Sequence, residues 1–312
     1  MNLFKTKAFI EQHIHGAYGV DFLNCDEDAL LFVSEKLFEN GVTIFLPTLA
    51  TAPIEILKKQ IAIIKNVMKI QLQQKNKMAK IFGVNLEACF IASEKSGIHD
   101  RTQLLAPTIE NYSLIEDEII KIVTIAPELD KNNVLTNYLS SKAVKVFAGH
   151  TQASDLSSVD GVTHLFNAMN GLHHREKTTA LSALSDDNIY CEIILDGHHV
   201  NYELAKIVLK AKQRDKIILI SDALPLAKSN LDKIEFCSKI IFNNGGIAQD
   251  ENGVFAGSTL LLSDIVKKLV QNNITNLEQA CEMASNSSRL FDIEYNDCIV
   301  WDDKLNIVDV IS

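Results

Sequence analysis

Eight short runs rich in β-branched and apolar residues recur along the chain, most of them followed by a stretch of helical character. They are residues 8–15 (AFIEQHIH), 42–48 (VTIFLPT), 80–87 (KIFGVNLE), 121–128 (KIVTIAPE), 144–150 (VKVFAGH), 161–166 (GVTHLF), 188–197 (NIYCEIILDG) and 216–223 (KIILISDA). Strand–helix alternation of this kind implies a parallel sheet. Between the runs, Asp26 to Glu39 places Leu30, Leu31, Val33, Leu37 and Phe38 on one stripe and closes at Gly41. Pro53 to Met68 repeats the pattern, and Asn201 to Lys212 carries Leu204, Ile207, Val208 and Ala211 on one face. Eight strand–helix units in one chain predict an α/β protein of the (β/α)8 barrel type. A doubly wound open sheet is the alternative, weakened because no GxGxxG opens the first unit.

Polar residues gather at one end of these runs: His13 and His15, Glu87, Glu128, His150, His164, Asp196 and Asp222. In a barrel the carboxyl ends of the strands carry the chemistry. His13 and His15 stand two apart on a strand, so both rings project to one face. With Glu87, His150 and His164 they form a set of N and O donors sufficient for one zinc-like ion, or two. Buried structural histidines are the alternative for His150 and His164. Asp222, ending the eighth run, is placed to act as a general base, or else to cap a helix at Ala223. His99 is a candidate to polarise a substrate carbonyl, and Arg175 and His199 are candidates to clamp an anion. All nine histidines lie between positions 13 and 199; His173, His174 and His198 stay undecided between support and surface.

After the eighth run, residues 224–257 form an irregular insert with two glycine-bearing turns, read as short hairpins over the barrel mouth. Two helices follow, over Thr259–Gln271 and Asn276–Ser285, and the tail 298–311 reads as a hairpin turning at Asp302-Asp303-Lys304. We therefore expect a catalytic barrel over 1–290 and a terminal β-hairpin over 291–312. A net charge of −10 argues against a phosphate-tracking nucleic-acid binder. No apolar run approaches the roughly 18 to 20 residues of a membrane span, and the first residues lack the marks of a signal peptide. Six scattered cysteines without a CxxC pair suit a reducing cytoplasm.

The segments HIHGAYGVDF, GVTIFLPTLAT, GVNLEACFIASEKSGIHD, VTIAPE, GHTQA, THLFNAM with HHRE, DGHHV, ISDA and DENGVFAGSTL occur in the order found in one family. On these, the chain resembles the N-acetylglucosamine-6-phosphate deacetylases of the amidohydrolase superfamily over roughly residues 8–290. The resemblance implies that Glu87, His150 and His164 hold the main metal, and that His13 and His15 match an HxH which holds a second ion in some members. It implies Asp222 as general base and acid, and His99 as the group orienting the acetyl carbonyl. Asn167 and Ala168 match contacts to the sugar and its phosphate, Phe255, Ala256 and Gly257 match the loop lining the sugar pocket, Ile98 matches a substrate contact, and Arg175 and His199 match phosphate ligands, one of them reaching across a dimer interface. The implied reaction converts N-acetylglucosamine 6-phosphate to glucosamine 6-phosphate and acetate, in a cytoplasmic homodimer. Zinc is the expected ion, with iron or another divalent ion as the alternative.

Two departures from the family pattern stand out. Asn85-Leu86-Glu87-Ala88-Cys89 replaces His-Leu-Glu-Gly-Pro, and Lys177-Thr178 replaces Pro-Gly after Arg175-Glu176. The family also carries a small β-sandwich made from both chain ends, of which this sequence has the terminal hairpin. Two other functions stay open: a barrel that binds an amino-sugar phosphate without turning it over, and a deacetylase of a related substrate such as N-acetylgalactosamine 6-phosphate.

Overall fold

In the computed structural model, which describes residues 3–74 and 76–312, every one of the eight runs carries a strand. They span Phe9–Ile14, Val42–Ala50, Val84–Glu87, Ile120–Ile125, Lys145–Ala148, Gly161–Val162, Tyr190–Ile193 and Ile217–Leu219. Each lies parallel to its neighbour in chain order. The ring closes where Ile14 meets Ala223 in a parallel bridge. There the Asp222 amide donates to the His13 carbonyl and the His15 amide to the Ala223 carbonyl, both at 2.9 Å. The chain is a (β/α)8 barrel.

The helices on the outside follow local signals. Asp26 caps Glu27–Glu39 by accepting from the Ala29 amide, and Asn201 caps Tyr202–Ala211 by accepting from Leu204. The helix starting at Ile54 runs on past Met68 to Gln73, because buried Gln71 ties its last turn to the Ala79 carbonyl and the Ile81 amide. Thr178, one of the departures from the family pattern, caps Thr179–Ser185 by accepting from Leu181. No helix follows the fifth strand. Residues 149–160 return as a loop, since Ser154, Asp155, Ser157 and Ser158 favour turns and leave no apolar stripe to bury.

Two apolar clusters divide the interior. The larger lies between sheet and helices, while Leu46, Ile122, Phe147, Ile194, Ile218 and Ile220 form a smaller cluster together with Leu290. Their inward side chains fill the barrel.

The insert over the mouth is a three-stranded antiparallel sheet of Lys233–Phe236, Lys239–Asn244 and Ile247–Gln249. Its second turn uses Gly245 and Gly246 at positive φ, as two-residue hairpin turns require. Its first turn does so with Cys237 and Ser238, at φ 50° and 62°, which no sequence signal announces.

The terminal hairpin of Cys298–Trp301 and Ile307–Ile311 does not stand alone. Phe4–Lys7 adds a third, antiparallel strand to it. Trp301 locks the sheet to the barrel: it is fully buried against Phe9, and its indole N–H donates to Thr6 at 2.8 Å. FKTK is too short and too polar for its pairing to be read from sequence.

Candidate metal centre and active-site cavity

Glu87 ends the third strand and is 2% exposed. Its two carboxylate oxygens face two pairs of histidines. Oε1 lies 3.2 Å from His150 Nε2 and 2.8 Å from His164 Nε2. Oε2 lies 3.3 Å from His13 Nε2 and 3.1 Å from His15 Nε2. The triads His13–His15–Glu87 and Glu87–His150–His164 each bring three ligand atoms within 4.8 Å of one another. Asp222 completes the ring, with Oδ1 3.2 Å from His15 Nε2 and 3.5 Å from His13 Nε2. It caps no helix; it sits beside the closing bridge at Ala223.

Backbone conformation aims these groups. His150, His164 and Asp222 hold φ of 48°, 31° and 48°, where residues with a side chain are uncommon. Such conformations are held by surrounding structure and cluster at functional sites. Cys89, in the altered turn after Glu87, has φ 64° and is buried, with its amide donating to Thr51. The altered turn leaves Glu87 facing all four imidazoles.

The tautomers follow from the outer partners. His15 gives its Nδ1 proton to the Thr48 carbonyl at 3.2 Å, and His150 to the Lys95 carbonyl at 2.8 Å. His13 Nδ1 meets Glu192 Oε2 at 3.1 Å. In each ring Nε2 therefore presents a lone pair to a carboxylate oxygen, and acceptors facing acceptors repel unless a cation lies between them. His150 Nε2 also lies 3.1 Å from His164 Nε2. A buried N and O donor set without thiolates fits a divalent ion of the zinc type.

Burial alone would lower the His13 imidazole, but the carboxylates of Glu87, Glu192 and Asp222 hold it well above its ordinary value. His15 is raised to about 9, burial being outweighed by Asp222 and Glu87. Burial works to raise Glu87, and the surrounding histidines, His13 foremost, hold it well below the carboxylate range instead.

Above the triads lies a cavity of about 340 Å³. His15, Glu87, His150, His164 and Asp222 line it, as do Ile98, His99, Asn167, Ala168, His199, Phe255, Ala256 and Gly257. His13 lies beneath, fully buried. His99 is pushed down to about 3 by burial and by the neighbouring His150. Its Nδ1 accepts from the Thr51 amide at 3.3 Å, so the proton of this neutral ring is on Nε2, 3.8 Å from Glu87. His199 Nδ1 contacts Asp196 at 2.8 Å and Nε2 contacts the Ala256 carbonyl at 2.7 Å. Burial disfavours its charge, yet Asp196 raises it above the ordinary imidazole value, and both ring nitrogens face acceptors.

Arg175 is not in the cavity. It lies on the exposed stretch 171–177, its guanidinium donating to the neighbouring His174 at 2.8 Å, and His173 is exposed beside it. Glu128, also expected at the strand ends, turns outward to accept from Thr151 and the Gln152 amide. Sequence reasoning missed Lys95, Phe236 and Val254 on the cavity wall, and Glu11 and Glu192 below it. The last two had a signal, a carboxylate inside an otherwise apolar barrel strand.

No family model matches the chain. It is 31% identical over 270 residues to the N-acetylglucosamine-6-phosphate deacetylase of Bacillus subtilis, covering 82% of this chain and 67% of that protein. It is 28% identical over 288 residues to the N-acetylgalactosamine-6-phosphate deacetylase of Escherichia coli O157:H7, covering 89% and 75%. The crystal structure of N-acetylglucosamine-6-phosphate deacetylase from Thermotoga maritima superposes with a TM-score of 0.88 at 28% identity, over 98% of this chain and 86% of that one. Sequence and fold agree across nearly the whole barrel, and the chain belongs to the N-acetylglucosamine-6-phosphate deacetylase family of the amidohydrolase superfamily.

Proposed function

We propose that the protein hydrolyses the acetamide of an amino-sugar phosphate, N-acetylglucosamine 6-phosphate first, to the free amine and acetate. The observation that carries this reading is Glu87 shared between two histidine pairs on the floor of a cavity that Asp222 and neutral His99 also face. In this reading Glu87, His150 and His164 hold one divalent ion, proposed as zinc, and His13 with His15 and the same Glu87 hold a second. Such an ion supplies Lewis acidity and an acidified water.

The remaining chemistry belongs to the chain. Asp222 takes the proton of the attacking water as the C–O bond forms, and returns it to nitrogen as the C–N bond breaks. His99, with its proton on Nε2, donates to the acetyl oxygen as negative charge develops there. His199 supplies positive charge for the phosphate, and Ile98, Asn167, Ala168, Phe255, Ala256 and Gly257 enclose the sugar. Arg175 serves the phosphate of a neighbouring chain in a homodimer, a role supported by its exposure on a loop outside its own cavity. Six unpaired cysteines support a reducing, cytoplasmic setting.

A second reading changes only the epimer, since relatives acting on N-acetylgalactosamine 6-phosphate match as well. The test is acetate release from both epimers before and after metal stripping, alongside Asp222→Asn. We expect stripping to abolish release and Asp222→Asn to lower kcat at least ~100-fold with metal content intact. Unchanged turnover after either treatment would remove the mechanism, and faster release from the galacto epimer would reassign the substrate.

A further inference from the structure

Glu192 lies mid-strand on the seventh barrel strand, 1% exposed, below the cavity floor. Its carboxylate touches both halves of the site. Oε2 meets His13 Nδ1 at 3.1 Å and receives the backbone amide of His164 at 3.4 Å. Oε1 accepts from Gln12 Nε2 at 2.6 Å. A carboxylate this deep is costly unless its oxygens are satisfied, and here one imidazole, one side-chain amide and one backbone amide satisfy them. Of the four imidazoles facing Glu87, only His13 rests on a carboxylate; His15 and His150 rest on backbone carbonyls, and His164 Nδ1 has no partner.

We infer that Glu192 is a positioning residue that makes His13 a metal ligand and so creates the second ion site, at His13, His15 and Glu87. This rests on the proposed metal-dependent reading of the site. By accepting the Nδ1 proton, Glu192 leaves Nε2 bare and aimed at Glu87 Oε2, 3.3 Å away, and it increases the donor strength of the ring. A neutral acceptor in its place would orient the ring without that increase. Glu192 also grips the His164 amide, so it ties the second triad to the first from beneath.

The conservative variant is built into the surroundings. Gln12 Oε1 is buried and has no hydrogen-bond partner. In Glu192→Gln, a flip of the Gln12 amide pairs its Oε1 with the introduced NH2 group, while the carbonyl oxygen that the substitution retains still accepts from His13. Glu192→Gln therefore keeps the ring's orientation and loses the carboxylate, whereas Glu192→Ala loses both.

The experiment titrates metal-free wild type, Glu192→Ala and Glu192→Gln with Zn²⁺ against a chromophoric chelator. Co²⁺ absorption and thermal melts are recorded on the same samples. The expected result is two ions per chain in wild type. In Glu192→Ala the weaker ion should bind about 10- to 100-fold less tightly, with altered Co²⁺ bands and a much smaller change in the tighter ion, whose ligand His164 loses one backbone contact. Glu192→Gln should fall between the two. Wild-type affinity and Co²⁺ bands for both ions in Glu192→Ala would overturn the inference. So would loss of both ions in step with a lowered melting temperature in both variants, which marks a purely structural role. A wild type that binds a single ion would overturn the inference alone, while one that binds none would overturn the metal-dependent reading itself.

Discussion

At the scale of single residues, the site depends on where the barrel puts each charge and what covers it. Asp21 shows this just outside the cavity. Burial raises its carboxyl to about 6, against the hydrogen bond from the Leu23 amide and the neighbouring His15, which lower it. A carboxyl with a raised folded value contributes stability that is present below its unfolded value of 3.8, and loses it as pH rises through about 6. Asp21→Asn keeps the oxygen that accepts from Leu23 and removes the charge. In the metal-free protein we expect it to stabilise by about 1–2 kcal/mol at pH 8, discounted for partial solvent screening, and by nothing measurable below pH 4. Urea unfolding at the two pH values checks this. A gain of equal size at both would assign the effect to packing.

At the scale of elements, the strands were legible because parallel barrel strands are buried on both faces and read as runs rich in β-branched and apolar residues. Helices with Asp26 and Asn201 at their starts were legible for the same kind of local reason. Phe4–Lys7 was not, since an edge strand of four residues is defined by its partner and carries no pattern of its own. Its tie to the barrel runs through Trp301. Trp301→Ala should cost about 3–5 kcal/mol in urea unfolding, from lost burial and the cavity left behind, and Thr6 loses its donor as well. Metal content per folded chain should stay at its wild-type value, because the terminal sheet contributes no ligand to either triad. A fall in metal content at equal folded fraction would show that the terminal sheet shapes the site.

At the scale of the whole molecule, the third, fifth and sixth units all contribute to the one proposed metal centre that the first strand completes. An ion held there crosslinks both sides of the barrel mouth. Zinc at about 1,000 times its dissociation constant should therefore stabilise the native state by about 4 kcal/mol relative to the stripped protein. Thermal melts with and without chelator measure this. A melting temperature indifferent to zinc would mean that the converging histidines hold no ion in the folded state.

The sequence by itself determined the barrel, its strand order and the donor types at the strand ends, because period, apolar run length and capping chemistry are local properties. It also marked Glu87, His150, His164, His13, His15 and Asp222 as the groups to watch. Only the tertiary structure added Glu192 to the carboxylates these histidines meet, since it reaches His13 across the barrel from the seventh strand. Likewise it turned Glu128 outward and left Arg175 on the surface. Partnerships between distant strands depend on barrel closure and on positive-φ residues at the strand ends. The positive φ of His150, His164 and Asp222 is announced by no local signal.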